Sequence, residues 1–261
     1  MGKLNAGWLK LVTRSAIVAL TLVFAVGAAE ARGSELWFGT AAADITPDRA
    51  VPLTGMRTVR ISKRIHSRCT ANVLALEARD GEKVVDQAIL VSCDLCVIRP
   101  GIQDGFRNAV ADRLPGFDVE KLILAATHTH AAPVLLQERY QDYGEAMQPR
   151  EYVEFLFQRM AEAVEAAWKS RARGAAAWGL GHAVVGQNRR SVFRDGSAVM
   201  YGKTDTPEFR GIEGYEDHTV DVLCFYNPEK KLRAAAITLA CPSQSVTGPT
   251  LSADFWHDVR N

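Results

Sequence analysis

Apolar residues recur along the chain with two periods, and the alternation between them lays out the fold. Apolar runs of strand length fall at residues 36–45, 71–78, 84–98, 122–126, 175–185, 220–226 and 232–240. Two segments between them change to helical spacing. Ile102, Phe106, Val110 and Leu114 give one face of a helix over 101–114 that Pro115 stops, and Val153, Phe157, Met160, Val164 and Trp168 stripe a longer helix over 150–172. The run at 84–98 is nearly all apolar, which predicts a central strand covered on both faces. Leu122–Ala126 reads as a short buried strand. Asp80-Gly81 and Asn227-Pro228-Glu229-Lys230 read as hairpin turns. Residues 195–217 form a polar stretch longer than a simple connection requires, which points to a functional, substrate-covering loop. Near the end Ser252 offers an N-cap oxygen, and Phe255 and Val259 begin another helical stripe. Strands alternating with helices predict an α/β fold, a layered mixed sheet with flanking helices in a single domain.

The first thirty residues follow a different logic. Lys3, Lys10 and Arg14 precede an apolar segment at 16–29 that ends in Ala29-Glu30-Ala31, the pattern of a secretory signal peptide over 1–31, with the mature domain at 32–261. The segment is shorter than the ~20 residues a spanning helix needs, so a retained anchor is the weaker alternative and the expected location is periplasmic or secreted. No later segment is long and apolar enough to span a bilayer once the signal is removed. A net charge of +1 gives no electrostatic ground for binding nucleic acid. Five cysteines in an exported chain would suggest disulfides, but Cys93-Asp94-Leu95-Cys96 ends an apolar strand with no second pair after it. Cys93 and Cys96 therefore read as small buried hydrophobes.

The candidate chemistry begins where Leu122–Ala126 delivers His128 and His130 into an Ala-Pro loop. In a strand, side chains at i and i+2 leave on the same face, which would aim both rings one way. Two imidazoles so placed serve a metal site or an acid/base pair; a polar strand exit with two surface histidines is the alternative. Asp94, at the end of an apolar strand, must be paired, metal-bound or exposed. Arg57, Arg60, Lys63, Arg64 and Arg68 read as a solvated loop rather than a phosphate-binding face. His128, His130, Asn188, Arg189, Cys241 and Asp254 all fall at strand ends or in the loops just after them, where ligand sites of α/β sheets gather. Zinc accepts imidazole and thiolate, and an arginine such as Arg189 can hold an oxygen-rich group or stabilise developing negative charge.

Four stretches, in order, resemble the neutral/alkaline (non-lysosomal) ceramidases, zinc-dependent amidases that split ceramide into sphingosine and a fatty acid. They are GTAAADITP at 39–47 with Gly55 after it, Ile65-His66-Ser67-Arg68, AATHTHAAP at 125–133, and Asn188-Arg189 followed by the strand ending in Cys241-Pro242-Ser243. The resemblance covers the chain from about Leu36 onward. It implies that His128 is a zinc ligand and that His130 hydrogen-bonds within the site. It also implies that Arg189 contacts substrate or the nucleophile region, and that Gly55 and Asn188 border the pocket. Two departures accompany it. Cys241 stands where the family supplies a second zinc histidine, which makes a thiolate ligand or a metal-free site the alternatives, and Ala131-Ala132 replaces Ser-Gly in the histidine loop. The family's catalytic serine and its remaining ligands, a glutamate and a tyrosine, would lie beyond Asn261, so the domain is expected to be incomplete at its C-terminal end and weakly active or inactive alone.

These readings converge on an exported, ceramidase-like, zinc-dependent hydrolase that cleaves the N-acyl amide bond of a sphingolipid-type substrate. A hydrolase of the same ancestry acting on another amide or ester is one alternative. A non-catalytic exported binding domain is the other. The expected partner is a small-molecule lipid amide, without nucleic acid; the sequence does not specify an oligomeric state.

Overall fold

The computed structural model describes residues 34–261, so the signal-peptide reading at 1–31 lies outside the described residues. The apolar runs form β1 (Glu35–Asp44), β5 (Thr70–Asp80), β6 (Lys83–Cys93), β7 (Leu122–Ala126), β8 (Ala172–His182), β12 (Thr219–Tyr226) and β13 (Leu232–Leu239). Short strands fill the connections: β2 (Pro52–Leu53), β3 (Arg60–Ile61), β4 (Arg64–Ile65), β9 (Arg190–Phe193), β10 (Ala198–Met200), β11 (Phe209–Ile212) and β14 (Thr250–Leu251). The helices are α1 (Ile102–Val110), α2 (Pro149–Lys169) and a final turn, α3 (Trp256–Arg260). The seven long strands make one mixed sheet in the order β13-β12-β8-β1-β5-β6-β7, antiparallel throughout except for the parallel pair β6 and β7. The expected α/β layering is therefore present.

Strand alternation explains the two sides of this sheet. Ala71, Val73 and Ala75 of β5 and Ile89, Val91 and Cys93 of β6 join Leu156, Met160 and Val164 of α2 and Phe106 and Val110 of α1 in the main core. The neighbouring Leu74 turns to the opposite face, where it meets Phe38 and Phe225 in a smaller cluster. Gly39 lets α2 lie directly on β1: a Cβ there would stand 2.1 Å from the Ala167 carbonyl oxygen. The capping box between Gln148 and Glu151, with Pro149 in the first turn, fixes where α2 begins.

Four expectations change. The strand expected at 84–98 ends at Cys93, and the consecutive Val84 and Val85 are both exposed, so the start of β6 is uncovered on both faces. Strand β7 is an edge strand: Leu122 and Leu124 are buried while Ile123 faces out. The expected Met160, Val164 and Trp168 of α2 are buried, but in the first half of the helix the core positions are Tyr152 and Leu156, one residue before the expected Val153 and Phe157. Phe157 instead flanks the stripe and meets the Phe106 ring of α1, centroids 5.4 Å apart. Finally, the supposed loop at 195–217 contains β10 and β11, which pair with β9 as a three-stranded sheet. Their periodicity is hidden because each strand is only three or four residues long.

Candidate metal-binding site

Strands β6 and β7 run parallel with α1 between them, and Cys93 lies opposite Ala126 in the register. Both chains therefore leave the sheet at the same edge, and the residues just beyond their carboxyl ends are neighbours. On one side these are Asp94, Leu95 and Cys96; on the other, Thr127, His128 and His130. The Cys96 sulfur and one ring nitrogen from each of His128 and His130 lie within 4.8 Å of one another.

The two rings converge for a reason other than strand alternation. β7 ends at Ala126, and His128 adopts a left-handed backbone with φ 61°, rare for a residue with a side chain. Nδ1 of His128 lies 2.7 Å from the Cys96 carbonyl oxygen, which can only accept, so Nδ1 carries the proton and the Nε2 lone pair is left free. That Nε2 faces Nε2 of His130 at 3.3 Å, with the ring centroids 5.0 Å apart. Two nitrogens each about 2.0–2.1 Å from one tetrahedral zinc would be separated by about 3.3–3.4 Å. The donor set thus fits a divalent ion of the zinc type.

The loop is held in place by polar contacts with distant parts of the chain. Arg60 donates to the carbonyls of Thr54 and His130, both at 2.7 Å, and to that of Gly248 at 2.8 Å. Thr129, fully buried, donates to the Ser252 carbonyl, and Ser243 donates to that of Thr127. Behind the loop Asp94 is fully buried; it accepts two bonds from Arg260, at 2.7 and 2.8 Å, and others from Thr70 and Thr127. Of the possibilities open to Asp94, pairing is the one realised.

His130 is half-buried. Desolvation, the neighbouring His128 and the charges of Arg60 and Arg189 lower its pKa, against the opposing charge of Asp254, which keeps the ring in its neutral, ligating form at pH 7. Gln244 sets its amide nitrogen 2.9 Å from the His130 Nε2. Gly55 lies against the same ring: its φ is +93°, and a Cβ there would stand 2.4 Å from His130 Cγ. That requirement accounts for a glycine in this position.

The remaining expected residues are placed differently. Arg189 is exposed, donates to the Tyr201 hydroxyl at 2.5 Å and is close enough to His130 to act on its charge. Asn188 is turned toward the three-stranded sheet; its amide bonds the Glu213 carbonyl and its oxygen accepts from Arg190 N at 3.0 Å. Cys241 lies outside the converging group, with its sulfur 3.6 Å from the carbonyls of Val185 and Pro242, and both burial and Asp254 raise its pKa. The thiol that does converge with the histidines is Cys96, which the sequence reading treated as core. Burial raises the Cys96 pKa against the lowering influence of Arg99, the Thr54 hydroxyl, Arg139 and Arg60. The order strand β6, helix α1, strand β7 was the available signal, since such a unit brings both carboxyl ends to one edge.

No protein-family model and no curated protein matches the sequence. Among solved structures, the neutral ceramidase from Pseudomonas aeruginosa superposes with a TM-score of 0.66 at 22% identity, over 87% of this chain and 36% of that one. A ceramidase complexed with C2 gives 0.63 at 22% identity with the same coverage. The fold of this chain is therefore that of part of a neutral ceramidase, and the chain spans about a third of the length of those proteins.

Proposed function

We propose that this chain carries the histidine half of a ceramidase-like, metal-dependent hydrolase that cleaves the N-acyl amide bond of a sphingolipid-type substrate and acts after export. The observation that carries the reading is the pair of imidazole Nε2 atoms 3.3 Å apart at the carboxyl edge of the sheet, one of them fixed in its tautomer by the Cys96 carbonyl. Zinc bound there by His128 and His130 would supply Lewis acidity toward an amide carbonyl and make water easier to deprotonate. His128 presents a lone pair that its Nδ1 contact keeps aimed, so little reorganisation is needed on binding. His130, neutral and backed by Gln244, would present Nε2 as the second nitrogen donor. Arg189 extends from the segment just before β9 with its guanidinium steadied by Tyr201, in reach to hold an oxygen-rich part of the substrate. Gly55 keeps the loop above His130 low enough for an acyl amide to approach, and Asn188 positions the arginine that follows it.

A second reading, hydrolysis of a different amide or ester, is favoured by one feature. Arg99 and Arg139 line a small cleft with Thr54 and Leu136 beside the histidine loop, a setting suited to an anionic substrate group. Release of fatty acid from an N-acyl sphingoid amide by the zinc-loaded protein tests the main reading. Release that disappears in His128→Ala is the expected result. Turnover of an N-acyl amino acid with none of the sphingoid amide would shift the assignment to the second reading. Absence of both activities in a zinc-containing protein would contradict hydrolase function.

A further inference from the structure

We infer that Cys96 is the third metal-binding residue of this site, so that the chain holds its metal through two nitrogens and one sulfur of its own. The inference rests on the metal-dependent reading above and names the thiol that completes it.

Three observations support the choice of Cys96. Its sulfur is the one thiol among the described residues that lies within 4.8 Å of a ring nitrogen of each histidine in the group. The same residue's carbonyl fixes the His128 tautomer, so one short segment orients two of the three donors. Cys96 also follows β6 at the same sheet edge to which the parallel strand β7 delivers the histidine loop, so the backbone itself sets the thiol beside both rings. Cys241 lies outside this group, with its sulfur against the carbonyl oxygens of Val185 and Pro242. The framework is also firm. Cys96 follows Asp94, whose carboxylate is clamped by Arg260 and Thr70, and the histidine loop is tied to the 243–252 segment through Ser243, Thr129 and Ser252.

On binding, Cys96 would give up its Sγ proton to solvent and donate the sulfur lone pair to the ion, while His128 and His130 contribute neutral nitrogens without proton release. A donor set of two imidazoles and one thiolate is a zinc set, and it disfavours magnesium and calcium, which prefer oxygen. Three protein ligands leave one tetrahedral position open for water or substrate.

Cobalt(II) is the probe, because a cobalt–thiolate bond produces an intense near-ultraviolet charge-transfer band that nitrogen and oxygen ligands do not. Titration of the purified chain should reach one cobalt per molecule with this band, unchanged in Cys241→Ser and absent in Cys96→Ser. The latter variant should also lose more zinc affinity than the about 10–100-fold typical of removing an outer-shell partner. Cobalt binding without the band, or a band that survives Cys96→Ser or vanishes with Cys241→Ser, would overturn the assignment while leaving a metal site. Failure of the wild-type chain to bind cobalt or zinc would overturn both this inference and the metal-dependent reading. If circular dichroism shows Cys96→Ser to be unfolded, zinc X-ray absorption of Cys241→Ser decides instead: a sulfur scatterer at about 2.3 Å is expected, and its absence contradicts the inference.

Discussion

His128 pairs an unusual backbone with a fixed tautomer. A residue with a side chain at φ 61° is held there only if its surroundings over-determine it, and here the Cys96 carbonyl and the stitched loop do so. Gly55 is the complementary case. Gly55→Ala would strain a backbone at φ +93° and drive a Cβ into the His130 ring, so it should lower stability by about 1 kcal/mol or more and weaken zinc binding, checked by urea unfolding and zinc competition. Away from the site, Glu77 is buried on β5. Burial alone would raise its pKa, but hydrogen bonds from Gln87 and Arg79 and the charge of Arg171 outweigh this and hold it below the ordinary 4.5. A depressed carboxylate contributes stability that is present above its unfolded pKa and is lost as pH falls through the folded value. The gap in thermal midpoint between wild type and Glu77→Gln should therefore be widest near pH 7 and narrow below about pH 4.5. At this scale the sequence exposed the two histidines as candidates, because imidazoles after an apolar strand stand out. Cys96 was hidden, since a lone cysteine at the end of an apolar run looks like core until the neighbouring strand is known to be parallel.

Helix α2 and strand β1 meet closely because Gly39 has no side chain. Gly39→Ala would place a Cβ against the backbone carbonyl of Ala167, and backbone can yield only by moving the helix as a whole. The expected loss is about 1–3 kcal/mol, seen as a lower urea midpoint with an unchanged slope. The helix itself was legible from its apolar period, with Met160, Val164 and Trp168 on the core face as expected, but the facing residues of its first half were displaced by one position. Spacing marks a stripe, and which edge of the stripe enters the core depends on the partner; Phe157 is drawn aside to Phe106 of α1. Strands β9, β10 and β11 could not be read at all, because runs of three or four residues carry too little alternation, and their pairing depends on partners up to 21 residues away. Asn188 and Arg189 accordingly lie in the segment that leads into this small sheet.

Across the whole molecule, the site edge is joined to the final helical turn through one buried carboxylate. Asp94 receives Arg260 from α3, Thr70 from β5 and Thr127 from the histidine loop, so three separate segments depend on a single charge. Arg260→Ala would leave that charge buried without its partner and should cost about 3–5 kcal/mol in a denaturant titration, with the histidine loop loosened. Asp94 was legible as a residue needing a partner, whereas a partner 166 positions away was not. The mixed-sheet architecture was legible from the order of strands and helices, and its likeness to a ceramidase fold accords with motifs shared at residues 39–47 and 125–133. The central claim is that the histidine pair binds a catalytic-type metal, and zinc content tests it most directly. The purified chain, equilibrated with zinc and freed of excess, should retain one zinc per molecule, and His128→Ala should retain close to none while keeping its circular dichroism. Zinc near zero in the wild-type chain, or equal content in both proteins, would contradict the account.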